Sequence, residues 1–113
     1  MKVKKFVEEL DNLNANWTDG SYTPQIVDKE GNTYNISSVD FSKNSMVYMV
    51  AASSQGMSSK EFDKIMTRIR ILRANATITC KLAKTYHVNE VYVAWSGDKN
   101  FINIDIGAAV KEK

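Results

Sequence analysis

The segment Met57-Ser58-Ser59-Lys60-Glu61-Phe62 is built to start a helix. Ser58 stands three residues before Glu61, so its hydroxyl can accept from the Glu61 amide while the carboxylate reaches back to the Ser58 N–H. Met57 and Phe62 flank it at the two positions of a hydrophobic staple. From there Ile65, Ile69, Leu72, Ala76, Cys80 and Ala83 recur at helical spacing, which predicts one long helix over residues 59–86. Thr77, Ile78 and Thr79 are stiff β-branched residues that favour strands, and they mark where a break or a short strand would fall. Ile71, Ile78 and Leu82 form a second apolar stripe on this helix, about 120° from the first. Its cover is the N-terminal helix or else an interface, with a second copy of the chain or with a partner, so a homodimer is one expected alternative.

The remaining elements follow from changes of period. Val3, Phe6, Val7, Leu10 and Leu13 share one helical face, which predicts a short amphipathic helix over residues 2–13. Gln25-Ile26-Val27 and Thr33-Tyr34-Asn35-Ile36 flank Asp28-Lys29-Glu30-Gly31-Asn32, a hairpin connection with glycine where positive φ is needed. Tyr34 and Ile36 alternate in one phase and Val39 and Phe41 in the other, which calls for a bulge near Ser37-Ser38. Met46 to Ala52 is an unbroken apolar run, the pattern of a central strand. Val88 to Trp95 and the alternating Ile102, Ile104 and Ile106 predict a second hairpin around Ser96-Gly97-Asp98-Lys99-Asn100, with a frayed tail over 108–113. The order is α-β-β-β-α-β-β. It predicts an α+β domain: about five strands in an antiparallel or mixed sheet, packed against one long helix plus the short N-terminal one.

A chain of 113 residues with 43% hydrophobic and 25% charged side chains has the composition of an ordinary globular domain, and residues 1–113 are read as one. Cys80 is its sole cysteine, which excludes an internal disulfide and any thiolate cluster for zinc and favours a reducing compartment. Glu8 and Glu9 interrupt the N-terminus before any signal-like apolar run, and no window is apolar enough to span a membrane. A cytoplasmic location is expected.

Candidate chemistry is sparse. The glycines are isolated turn formers without a phosphate-cradling pattern, and Asp19, Asp28, Asp40, Glu90, Asp98 and Asp105 are dispersed, so neither a cofactor nor a metal is expected. His87 and Cys80 would lie two turns apart on the predicted helix, too far for a thiolate–imidazolium pair. The charge distribution is more informative. Residues 59–87 carry seven basic side chains against Glu61 and Asp63, whereas the chain as a whole is only +2. On an unbroken helix Arg70, Arg73, Lys81 and Lys84 would form a basic ridge, suited to phosphates or to an acidic protein surface. Trp17 and Tyr22 lie in a polar loop and Trp95 at the mouth of the last hairpin; all three are residue types that anchor interfaces or stack on bases, with Trp17 and Tyr22 the expected contact residues.

These features predict a small non-enzymatic binding protein that acts on a host protein or nucleoprotein complex, with the ridge and the aromatic loop as contact surfaces. A nucleic-acid-binding accessory protein using the same ridge is the alternative. Ten Asn, twelve Lys and nine Ile against three Arg are what an AT-rich genome produces. Phage or mobile-element origin fits that composition, and an inhibitor of a defence nuclease fits the size.

Overall fold

Val3, Phe6, Val7 and Leu10 lie buried along one side of the first helix, α1 (Val3–Leu13), and a single wide turn, Asn14–Thr18, ends it. The computed structural model describes residues 1–111. After α1 come β1 (Thr23–Val27), β2 (Thr33–Asp40), β3 (Met46–Ala52), α2 (Ser59–Leu72), β4 (Thr77–Lys81), β5 (Thr85–Ser96) and β6 (Lys99–Ala109). The α+β class stands. The sheet is mixed, with six strands rather than about five, and it closes on itself as a barrel in the order β1-β2-β3-β4-β5-β6.

The extra strand comes out of the segment that reads as helix. α2 stops at Leu72, and the Arg73 N–H donates to the Ile69 carbonyl at 2.7 Å, closing the last turn. The chain then enters β4, which pairs in parallel with β3 from Met46↔Thr77 to Val50↔Lys81. Ile78 and Cys80 are wholly buried on its inner side, and the Thr79 hydroxyl donates to the Val47 carbonyl at 2.8 Å. The periodicity misled because Ala76 and Cys80, four apart, share a face in a helix and in a strand alike. Tertiary pairing, with β-branched residues at 77–79, decides for the strand.

β1 joins β6 in parallel, as β3 joins β4, and the remaining four neighbours pair antiparallel. Directly opposed residues share a face, so Ile26 opposite Ile104, Val47 opposite Ile78, Met49 opposite Cys80 and Val93 opposite Ile102 define the barrel interior. The register of β2 shifts between Ile36 and Ser38, at the expected bulge, and β5 shifts on both sides of Val88. Bulges of this kind increase local twist and curvature, which a narrow barrel needs. β6 runs on to Ala109 and the Val110 N–H donates to the Thr85 carbonyl at 2.8 Å, so the tail expected from 108 is ordered structure to that point; 112 and 113 lie outside the described residues.

Phe6, Leu10, Phe62, Met66 and Ile69 join the inward strand residues in one continuous core. α1 is stitched in at its start, where the Val3 N–H donates to the Ala76 carbonyl and the Ile78 N–H to the Met1 carbonyl, each at 2.9 Å. Those bonds place the start of α1 beside the start of β4. Among the described residues no helix is long and apolar enough to cross a membrane.

Candidate functional site

The four cations expected on one helix face are divided by the turn after Leu72. Arg70, on the last turn of α2, faces Asp11 of α1 at 3.8 Å. Arg73 caps the helix. Its Nε donates to the carbonyls of Phe41 and Lys43, each at 3.0 Å, and its Nη1 to the Leu72 carbonyl at 2.9 Å. That guanidinium braces the β2–β3 turn against the helix end. Lys81 ends β4, and Lys84 lies in the turn before β5. Both lysines line a groove on the outside of the barrel together with Lys43, Tyr48 and Asp40. The ridge is therefore corrected to two sites, since 100° per residue has no meaning beyond the helix.

The aromatic loop is corrected too. Tyr22 is 6% exposed, with its hydroxyl donating to the Asp63 carboxylate, which also accepts from the Asn14 amide at 3.4 Å. Burial, with the Asp63 bond and its negative charge, raises the Tyr22 phenol far above its usual range. Tyr22 thus fastens the segment leading into β1 onto α2, and its hydroxyl is unavailable to a partner. Burial raises the Asp63 carboxyl as well, against the two donors that favour its charged form.

Trp17 points the other way. It is 59% exposed, and its companion is Trp95, 57% exposed near the end of β5. The rings meet edge to face with centroids 6.1 Å apart and planes at 66°, a favoured aromatic geometry. The turn beneath Trp17 is held in place. Asn16 donates to the backbone and side-chain oxygens of Asn12 at 2.8 Å, and the buried Thr18 hydroxyl donates to Asn14 Oδ1 at 2.6 Å. Asp19 and Gly20 then turn the chain with φ of 53° and 84°. Asn100, beyond the tip of the last hairpin, donates to the Ser21 carbonyl at 3.4 Å and joins the two halves of this surface. Ser21, Asp19, Asp98 and Asn100 line a shallow hollow that adjoins the two tryptophan-bearing segments. Trp95 is visible in the sequence as a hairpin-end aromatic, but nothing local marks it as the neighbour of Trp17.

Elsewhere the geometry supplies little chemistry. Cys80 lies opposite Tyr86 and His87 opposite Thr79, so Cys80 and His87 project from opposite faces of the sheet. This replaces the helical spacing as the reason they do not meet. Burial pushes the Cys80 thiol up to about 12, the mark of an inert buried cysteine. No group of three metal-ligating side chains comes together among the described residues. A second cavity of about 520 Å³ opens between Tyr34, Tyr86, Leu82 and Ile106. Of its two carboxylates, Asp28 and Glu30, Asp28 accepts from the amides of Glu30 and Asn32, the Asn32 side chain and the Tyr34 hydroxyl, and so serves the β1–β2 turn. Ile71 and Leu72, 78% and 51% exposed, end α2. Compared with protein-family models, with curated proteins and with solved structures, the chain matches none.

Proposed function

We propose that this chain is a binding protein without catalytic chemistry of its own, and that it docks on a protein partner through the surface built on Trp17 and Trp95. The observation that supports this reading is the pair itself: two indoles, each more than half exposed, set against one another on a hydrogen-bonded scaffold. Leaving so much aromatic surface in water is unfavourable, and Trp is among the residues that most often dominate binding energy. Asp19, Asp98 and Asn100 beside it supply the polar rim of a protein interface, and a rigid anchor loses little conformational freedom on docking. A host protein or the protein component of a nucleoprotein complex is the partner class this face suits. The nucleic-acid alternative has lost the continuous helical stripe on which it rested.

The test is affinity capture from a lysate of the cells that make the protein, followed by measured affinity for the partner so identified. Wild type is compared with Trp17→Ala/Trp95→Ala and with Ile71→Ser as a surface control. The tryptophan variant is expected to lose roughly 30-fold or more in affinity, the scale of a binding hot spot, while the control stays within about twofold. Equal affinity for all three proteins would overturn the assignment of this surface.

A further inference from the structure

The seam between β4 and β5 is short. It sets Thr79 opposite His87, Cys80 opposite Tyr86 and Lys81 opposite Thr85, and goes no further among the described residues. The N-terminus takes the next place along β4: Lys2 bridges to Thr77, the Ile78 N–H donates to the Met1 carbonyl and the Val3 N–H to the Ala76 carbonyl. From Val88 onward β5 is paired with β6 on one side and, among the described residues, with no strand on the other. The phase of this bare flank follows from the hairpin. Gly97 and Asp98 alone join Ser96 to Lys99, so those two close the turn as a hydrogen-bonded pair and the antiparallel pattern alternates from there. Glu90, Tyr92 and Ala94 turn their backbone groups to β6. Val91, Val93 and Trp95 turn theirs outward.

Natural edges are usually blunted by charge, proline or a bulge. The register shifts of β5 lie on either side of Val88, and from Val91 to Ser96 its pairing with β6 is regular. Val91-Tyr92-Val93-Ala94-Trp95-Ser96 contains no charged residue and no proline. We infer that this flank is a dimerisation edge, on which β5 of a second copy pairs antiparallel about a two-fold axis through Val93. That register matches the outward backbone groups: Val93 exchanges hydrogen bonds with its own copy, and Val91 with the second copy's Trp95. The side chains agree with it as well. Val91 stands beside an indole, a favourable cross-strand pair, Tyr92 falls opposite Ala94, and Glu90 opposite Ser96 rather than another carboxylate. A groove of about 340 Å³ between α1 and β5, lined by Met1 and Leu13 with Val91, lies where the second copy's Trp95 would arrive, and Lys5 and Glu9 give its α1 wall both signs of charge. The contact engages the backbone edge and one side of Trp95 and leaves Trp17 to the docking face, so it goes beyond that reading and does not depend on it.

Sedimentation velocity of the whole chain, from roughly 5 to 500 μM, reads the dimer directly. Tyr92→Lys/Ala94→Lys keeps both tryptophans and sets lysines opposite lysines across the edge, whereas Ser53→Lys/Gln55→Lys adds the same charge on an exposed loop. Wild type is expected to pass from monomer to dimer within this range. The edge variant should dimerise roughly tenfold or more weakly, and the loop variant within about twofold of wild type. Val93→Cys tests the register, since facing residues of a hydrogen-bonded pair lie about 5.5 Å apart at Cα, within disulfide reach. With oxidised glutathione it should cross-link two chains, and Ser96→Cys, which would face Glu90, should not. Circular dichroism checks each variant, and the cysteine pair decides alone if the lysine variant fails to fold. A wild type that stays monomeric at roughly 500 μM, a dimer equally stable in edge and loop variants, or equal cross-linking at positions 93 and 96 would overturn the inference.

Discussion

Tyr22 and Trp17 stand five positions apart in one loop, yet one is enclosed and the other exposed. What separates them is Asp63, 41 residues further along the chain, which accepts the Tyr22 hydroxyl. Nothing near Tyr22 in the sequence announces that partner, so composition and loop chemistry alone make both residues look like surface anchors. Tyr22→Phe removes the donor from a carboxylate that burial already disfavours, and is expected to cost about 1–3 kcal/mol at neutral pH. The penalty should shrink in acid. Because the Asp63 pKa is raised in the folded protein, its contribution is most favourable below the unfolded carboxylate pKa and is lost as pH rises through the folded one. Deleting Tyr22's donated bond, which holds that pKa down, enlarges the effect. Denaturant unfolding at about pH 3 and pH 7 reads the difference; a Tyr22→Phe cost independent of pH would mean that lost packing, not the carboxylate, carries it.

At the scale of elements, most of the chain was legible because local rules and tertiary context agree. The amphipathic face of α1, the start of α2, the first hairpin, the bulge after Ile36 and the inward Ile102, Ile104 and Ile106 all follow from period and turn chemistry. β4 did not, since an apolar spacing of four is shared by helix and strand, and a buried strand next to a helix end carries no other strong mark than Thr77-Ile78-Thr79. Losing that boundary also created the ridge, because Lys81 and Lys84 were carried onto a helix that had ended. The capping signal at α2 is half realised. The Glu61 N–H donates to Ser58 Oγ at 3.2 Å, while the return bond from the Ser58 N–H to the Glu61 carboxylate is not made. Ser58→Ala should therefore cost about 1 kcal/mol and Glu61→Ala no more than about 0.5. Chemical denaturation of the two variants compares them directly, and equal losses would show that the reciprocal bond forms in solution.

For the molecule as a whole, the feature without a sequence signature is closure. Hairpins announce themselves through their turns, but the two parallel pairings, β3 with β4 across α2 and β1 with β6 across most of the chain, are specified by no local motif. An open sheet of the same strands would satisfy every local pattern equally well. Closure gives each described strand a neighbour on both sides, although β5 meets β4 only at Thr85, Tyr86 and His87, and it makes a definite prediction for hydrogen exchange. Hydrogen-bonded amides within Ile102–Asp105 of β6 should exchange as slowly as those of Val47 and Met49 in β3, through global unfolding. Fast exchange confined to β6 would show that the β1–β6 seam opens by itself.

That seam also bears on how the protein is made. Thr23 through Val27 leave the ribosome long before their partners Phe101 through Asp105 exist, and during vectorial synthesis β1 must wait with one flank bare. Its sequence suits the delay: Pro24 lacks the N–H that another strand would grip, a common guard on exposed edges. The barrel can shut only after residue 105 clears the exit tunnel. Slow or stalled translation before that point would leave an incomplete, adhesive intermediate, so this protein's yield in a cell should depend on how quickly its last strand is delivered.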